Sequence, residues 1–369
     1  MVQIDAHRVQ NRGIPHAVRF VVLTLAWTVL TFHTGAPAEA RTRHVPSEYP
    51  TINGAMNAAS SGDTVLVAPG TYIASPATHD CYEVASGVCL MSEGGPAVTI
   101  IELCGGTCCV VIAGVTGVEV SGFTFRFSHA DSCDDMWQHY GVSCFDCSDV
   151  LVESCVFEDL PIGIDVGAWW YGKVSDVVVA NNIFHGCETA IMCEGVSCDD
   201  IYWTSGLPEF SGNTITDGGC GVLLSGSCAL FDHNVITGCR GSGVGIEFGG
   251  QSIWSGNVIA HNGASGVELL VDSAPILVLL NYKHLLRTAN DIYDNAGCEV
   301  YLNKNSESTA VYASYNYWGG RCPDFAREIH GAVVYSPWVD STHSSVLTAN
   351  DCPGATEPAT WGAIKAMFK

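Results

Sequence analysis

Basic residues are scarce in this sequence. Lys and Arg number 15 against 38 Asp and Glu, giving a formal charge of −23. That balance argues against nucleic acid or an anionic membrane surface as partner, because both would be repelled. It also disfavours a polyanionic sugar unless cations bridge the two surfaces. Apolar runs long enough to span a membrane are missing as well. Residues 20–32 form an apolar stretch of 13 residues, whereas a bilayer core of roughly 30 Å needs about 20. Residues 273–281 are apolar but shorter still. Cysteine is absent before Cys81, and all 18 cysteines fall between there and Cys352.

The short apolar run reads as an export signal. Arg8, Arg12 and Arg19 precede or open it, and Ala38-Glu39-Ala40 supplies an A-x-A cleavage site before Arg41. Residues 1–40 are therefore expected to be removed. That leaves 12 Lys and Arg against 36 Asp and Glu, a charge of −24, and no membrane span. The expected location is extracytoplasmic, either secreted or in the cell envelope. Cysteines in such a compartment are expected to form disulfides, with the pairing open. Cys144-Phe-Asp-Cys147 has the spacing of a redox or zinc motif but lacks a βαβ context, so a structural bridge or buried thiols are expected there.

What the sequence has in abundance is a repeat. Thr116-Gly-Val-Glu-Val-Ser-Gly122, Ser148-Asp-Val-Leu-Val-Glu-Ser154 and Ser175-Asp-Val-Val-Val-Ala-Asn181 are variants of one segment. Aligning their last residues gives Gly122, Ser154, Asn181, Asn213, Asn234, Asn257, Asn290 and Asn316, at intervals of 21 to 33 residues. A period in the twenties with variable additions points to a solenoid whose insertions loop out at turns. Two residues after the aligned position, Val156, Ile183, Ile215, Ile236, Ile259 and Ile292 are expected to form one inward file, with Thr124 and Trp318 departing at the ends. A second strand begins with a small and a branched residue, as in Gly163-Ile164, Ala190-Ile191, Gly221-Val222, Gly243-Val244 and Gly266-Val267. The expected fold is all-β: a single-stranded right-handed parallel β-helix, with strands about 4.8 Å apart in successive coils. Asn181, Asn213, Asn234, Asn257, Asn290 and Asn316 are expected to form a structural ladder at a sharp turn. Asn tolerates the unusual backbone angles there, and its amide can bond to its equivalent one coil away.

An open solenoid needs capped ends. Residues 51–60 place Ile52, Ala55, Met56 and Ala59 on one face of a short N-terminal capping helix. Val45-Pro-Ser-Glu-Tyr-Pro-Thr-Ile52, followed by Ser61-Gly-Asp-Thr-Val-Leu-Val-Ala-Pro-Gly-Thr-Tyr72, resembles the N-terminal cap of secreted pectin-lyase-like β-helix proteins. Asn316-Tyr-Trp-Gly319 and Val334-Tyr-Ser-Pro-Trp338 resemble their closing coils. The domain is expected over residues 41–340, followed by a linker and short tail over residues 341–369.

Insertions mark where chemistry could sit. The first holds His129, Asp131, Asp134, Asp135 and His139; clustered carboxylates of this kind suit Ca²⁺. Two others leave adjacent coils at the same point. One carries Trp169, Trp170 and Tyr171, the other Asp199, Asp200, Tyr202 and Trp203. Rings beside carboxylates suit a polysaccharide, whose apolar sugar faces stack while its hydroxyls bond to Asp. The same rings could equally pack on one another to cover the wall.

The resemblance implies fold more than activity. Polygalacturonase-like members carry an Asn-Thr-Asp segment, paired Asp, Gly-His-Gly and Arg-Ile-Lys, which this chain lacks apart from the partial echo Asp199-Asp200. The Asp-Pro-His-Asp of epimerase-like members is also absent. Lyase-like sites need a basic residue, and between Arg126 and Arg240 the only Lys or Arg is Lys173. Two functions remain open. The missing motifs favour an exported, non-catalytic β-helix that binds glycans at the cell surface or outside the cell. The alternative is a divergent polysaccharide lyase or glycoside hydrolase, recognisable by a groove where two carboxylates, or a base and a Ca²⁺ site, converge.

Overall fold

The computed structural model describes residues 39–74, 81–128, 139–167, 173–196, 206–270, 276–280, 288–302, 310–331 and 333–352. They wind into a right-handed parallel β-helix with three walls. One coil runs through Tyr140–Phe145 on the first wall, Cys147–Glu153 on the second and Val156–Glu158 on the third. The next repeats the plan as Ile162–Gly167, Val174–Ala180 and Ile183–His185. Equivalent strands pair in parallel: Val142 lies against Ile164, Ile164 against Ile191 and Val152 against Val179. Each strand's backbone groups are thus satisfied by the coils above and below rather than by its own coil. In two later coils one strand, Cys220–Asp232 or Val244–Ser255, serves the first and second walls together, and the register shifts between Ser225 and Ser227 where the walls meet.

Apolar files fill the prism. Val142, Ile164, Ile191, Val222, Val244, Val267 and Val300 are fully buried on the first wall. On the third, Phe125, Phe157, Phe184, Ile215, Ile236, Ile259 and Ile292 follow one another in register. Phe157 and Phe184 stack 4.5 Å apart at 7°. At roughly 25 cal/mol per Å² of apolar surface removed from water, these files dominate the stabilisation.

The third-wall file corrects the sequence reading by one residue in its early coils. Val156 and Ile183 were expected inward, but Val156 is only half-buried and Ile183 is 48% exposed; they pair with Thr124 and Thr214 on the outer face. The cause lies at the corner before this wall. There the chain passes through a left-handed residue, with φ of 77° at Gly122, 55° at Ser154, 56° at Asn181, 62° at Gly212, 54° at His233 and 66° at Gly256. The residue after it points inward.

Asn181 is therefore the exposed corner residue, and Asn182 takes the ladder position assigned to it. The side chain of Asn182 donates to Asn213 Oδ1 at 3.1 Å, and the pattern continues through Asn234, Asn257, Asn290 and Asn316 at 2.9 to 3.0 Å. Each Oδ1 also accepts the backbone N–H of the preceding ladder Asn. A second, shorter ladder joins Asn262 to Asn295 at 2.9 Å and ends on Glu299.

Corner residues also fit each other. A Cβ added at Gly212 would lie 2.6 Å from the Asn181 side-chain oxygen, and one at Gly186 would lie 2.2 Å from Asp159 Oδ1. Glycine follows a side-chain-bearing residue because the earlier side chain leans over the next coil.

The helix Ile52–Ala58 closes the N-terminal end, with Ile52, Ala55 and Met56 buried and the Thr51 hydroxyl accepting the Gly54 N–H at 3.0 Å. At the other end Phe325 packs against Tyr335 and Trp338. Part of the expected linker belongs to this cap: Trp338–Val339 pairs antiparallel with Val346–Leu347, and Cys352 is disulfide-bonded to Cys322. Its polar residues misled because Asp340 collects Thr342, Ser344 and Ser345 in a hydrogen-bonded turn. Cys81 is bonded to Cys108, and Cys104 and Cys228 are also in disulfides. Cys144 and Cys147 are buried free thiols. A hydrogen bond between them holds the Cys144 thiol above its ordinary range and the Cys147 thiol below it. Among the described residues no helix is long and apolar enough to cross a membrane.

Candidate functional site

The outer face of the first wall carries two files of side chains. One runs Ser143, Asp165, Met192, Leu223, Gly245, Glu268 and Tyr301; the other Phe145, Gly167, Glu194, Ser225, Glu247 and Leu270. Strand alternation places these residues outward because their neighbours, such as Ile164 and Val166, fill the core. Three outward polar residues in the coils of Tyr140, Ile162 and Thr189 are nevertheless covered, although Phe145 beside them is exposed. Ser143 is 8% exposed, Asp165 4% and Glu194 7%.

Asp165 is the unusual member. Its Oδ1 is buried without a hydrogen-bond partner. Burial first, and then the nearby charge of Glu194, push its carboxyl up to about 7. The geometry explains the coupling. Asp165 pairs with Met192 and Gly167 with Glu194, so the two carboxylates sit one strand over and two residues along from each other. The Tyr140 hydroxyl is pushed up to about 12, chiefly by burial and then by Asp165 and Glu194. The arrangement is one carboxyl poised to hold a proton near neutrality, a second carboxylate beside it, and a neutral phenol. Neither outward file contains a Lys or Arg.

The residues singled out from sequence lie outside the described residues: Asp131, Asp134 and Asp135; Trp169, Trp170 and Tyr171; Asp199, Asp200, Tyr202 and Trp203. What is described is where their segments leave the wall. One begins just after Gly167, the partner in register of Glu194; the other begins two residues beyond Glu194, after Gly195 and Val196. The first insertion re-enters at His139, buried against the Gly106 carbonyl at 2.7 Å. Lys173 is exposed at the start of the second wall, its backbone N–H on Asp146. Among the described residues no three His, Cys, Asp or Glu side chains are grouped to hold a metal.

Sequence reasoning missed Asp165 and Glu194 because each reads as an ordinary outward polar residue on a strand. The available signal was position: each stands at the root of an aromatic insertion.

Residues 194–317 match the family described as "right handed beta helix region". No curated protein matches the chain. Among solved structures, it is similar to the A-module of the mannuronan C-5 epimerase AlgE6 of Azotobacter vinelandii, at 15% identity over 78% of this chain and 79% of that one, with a TM-score of 0.44. It is similar to the AlgE4 A-module of the same organism at 17% identity over 72% and 89%, TM-score 0.37. A mannuronic acid specific polysaccharide family 6 lyase from human gut microbiota matches at 10% identity over 76% and 83%, TM-score 0.36.

Proposed function

We propose that this chain is an exported glycoside hydrolase that cleaves a glycan without negative charge on the outer face of its first wall. The observation that carries the reading is the Asp165 carboxyl: buried, unpartnered on Oδ1, raised to about 7 and adjacent to Glu194. A carboxyl that keeps its proton, set beside a second carboxylate, is a pairing that glycoside hydrolysis uses. Protonated Asp165 gives its proton to the leaving glycosidic oxygen as the C–O bond breaks. Ionised Glu194 takes a proton from the water that adds to the sugar carbon. Raised carboxyls cluster at functional sites.

Charge narrows the substrate. A chain with a formal charge of −23, whose first wall bears Asp165, Glu194, Glu247 and Glu268, disfavours a polyuronate unless cations bridge the two. Elimination chemistry needs a base beside the acidified proton of a uronate, and among the described residues neither file carries a Lys or Arg, while His330 lies at the far end of the first, beside Tyr301. Trp169, Trp170, Tyr171, Tyr202 and Trp203 are the proposed stacking surfaces, since their segments are rooted beside Gly167 and Glu194.

The test is reducing-end release by the protein beginning at Arg41, on neutral, aminated and uronic acid polymers, with and without Ca²⁺. Release from a neutral or aminated polymer, reduced at least about 100-fold by Asp165→Asn and by Glu194→Gln, is expected. Binding without products reduces the function to glycan recognition. Faster turnover of a polyuronate refutes the substrate class but keeps the site.

A further inference from the structure

Asp63 lies at the start of the second-wall strand Thr64–Val67 and is 3% exposed. Its two oxygens are fully engaged. Oδ1 accepts the backbone N–H of Arg41 at 2.8 Å. Oδ2 accepts the Ser60 N–H at 2.9 Å and the Arg43 guanidinium at 3.0 Å from Nε and 2.8 Å from Nη2. Arg43 is itself buried, and its Nη1 donates to the Tyr49 hydroxyl at 2.7 Å. The Arg41 side chain meets Glu48 at 3.5 Å. Glu39, Ala40 and Arg41 are exposed, so the peptide bond between Ala40 and Arg41 faces water while the nitrogen it contains points at a buried carboxylate.

That nitrogen is the one that cleavage at the expected site Ala38-Glu39-Ala40 would free, and the proposal rests on that reading of the sequence. We propose that Asp63 is a seat for the mature N-terminus: hydrolysis of the Ala40–Arg41 bond converts a neutral N–H donor into an α-ammonium ion paired with Asp63, tightening the hold on the first coil in the processed protein. Water supplies the oxygen of the new Ala40 carboxylate and the protons carried by Arg41. The seat has the right sign. Backbone donors from Ser60 and Arg41, with Arg43, hold the Asp63 carboxyl down at about 2, so it is ionised at neutral pH. The charged groups around the new ammonium are Asp63, which it contacts, with Arg43 on Asp63, and the Arg41 guanidinium with Glu48: two anions and two cations, beside the Tyr49 hydroxyl. A charge-assisted contact replaces a neutral one without moving a heavy atom.

The pH dependence follows. An α-amino group ordinarily titrates near 7.7–8.0, and pairing with Asp63 raises it in the folded state. The added stability is therefore fully present below about pH 8 and lost as pH climbs past the raised value.

Two proteins beginning at Arg41 test this, one with a free α-amine and one acetylated there, both prepared by cleaving a removable N-terminal fusion. The free-amine protein should unfold at least about 2 °C higher at pH 7, and the gap should close at high pH. Its amine should also react more slowly with an acylating reagent in the native state than after denaturation. Asp63→Asn should erase the gap; since that variant could fail to fold, the acetylated protein carries the comparison alone. Mass spectrometry of the exported protein should place its first residue at Arg41. Equal unfolding temperatures at pH 7, or an exported chain starting elsewhere, overturns the proposal.

Discussion

Asp165 and Glu194 face outward from neighbouring strands of one wall, and the charge of Glu194 helps to keep a proton on Asp165 up to about pH 7. The pair exists because two coils of different sequence are stacked in register, not because the two residues are close along the chain.

Stability should fall as the solution is taken from pH 4 to pH 7.5. In the unfolded chain Asp and Glu ionise near 4. In the fold Asp165 and Glu299 hold their protons up to about 7, both mainly because of burial. The folded state therefore binds more protons in that window, and the unfolding free energy declines through it. Each tenfold gain in proton affinity is worth about 1.4 kcal/mol, so Asp165 alone accounts for about 2–4 kcal/mol. Denaturant unfolding across pH should show the decline, and Asp165→Asn should flatten its share.

Activity on the glycan should follow the same group and fall in the same direction. Asp165 acts only while protonated, so kcat/KM should fall above about pH 7. A pH–rate profile with no basic limb near that value would contradict the assignment of Asp165 as the acid.

Two adjacent asparagines should behave differently. Asn181→Gly keeps the left-handed corner at φ 56° and should cost under about 0.5 kcal/mol. Asn182→Gly strands the Cys155 N–H, which donates to Asn182 Oδ1 at 2.9 Å, and breaks the link to Asn213, for about 2–4 kcal/mol. Ile183→Ala and Phe184→Ala should repeat the contrast, at under about 1 and about 3–5 kcal/mol, because only Phe184 is in the core. Chemical denaturation of the four variants measures all of it.

The corner columns predict a rescue. Gly186→Asp should destabilise by about 1–3 kcal/mol, since a Cβ there meets Asp159 Oδ1 at 2.2 Å in a backbone at φ 69°. Removing the obstruction with Asp159→Gly should recover most of the loss, giving a coupling energy of at least about 0.5 kcal/mol in a double-mutant cycle.

The sequence by itself determined the solenoid, its approximate period, its capping helix and the points where loops leave it. Those features rest on composition repeated at intervals, and repetition is visible without coordinates. Tertiary structure decided which of Asn181 and Asn182 enters the ladder. Asn is equally at home in a left-handed corner and in an amide stack, and only the sign of φ at each residue separates the two roles. Tertiary structure likewise picked Asp165 from the other outward carboxylates. An aspartate becomes a proton reservoir when it is buried and a second charge lies beside it on the next coil, and neither condition is written in the residues around it.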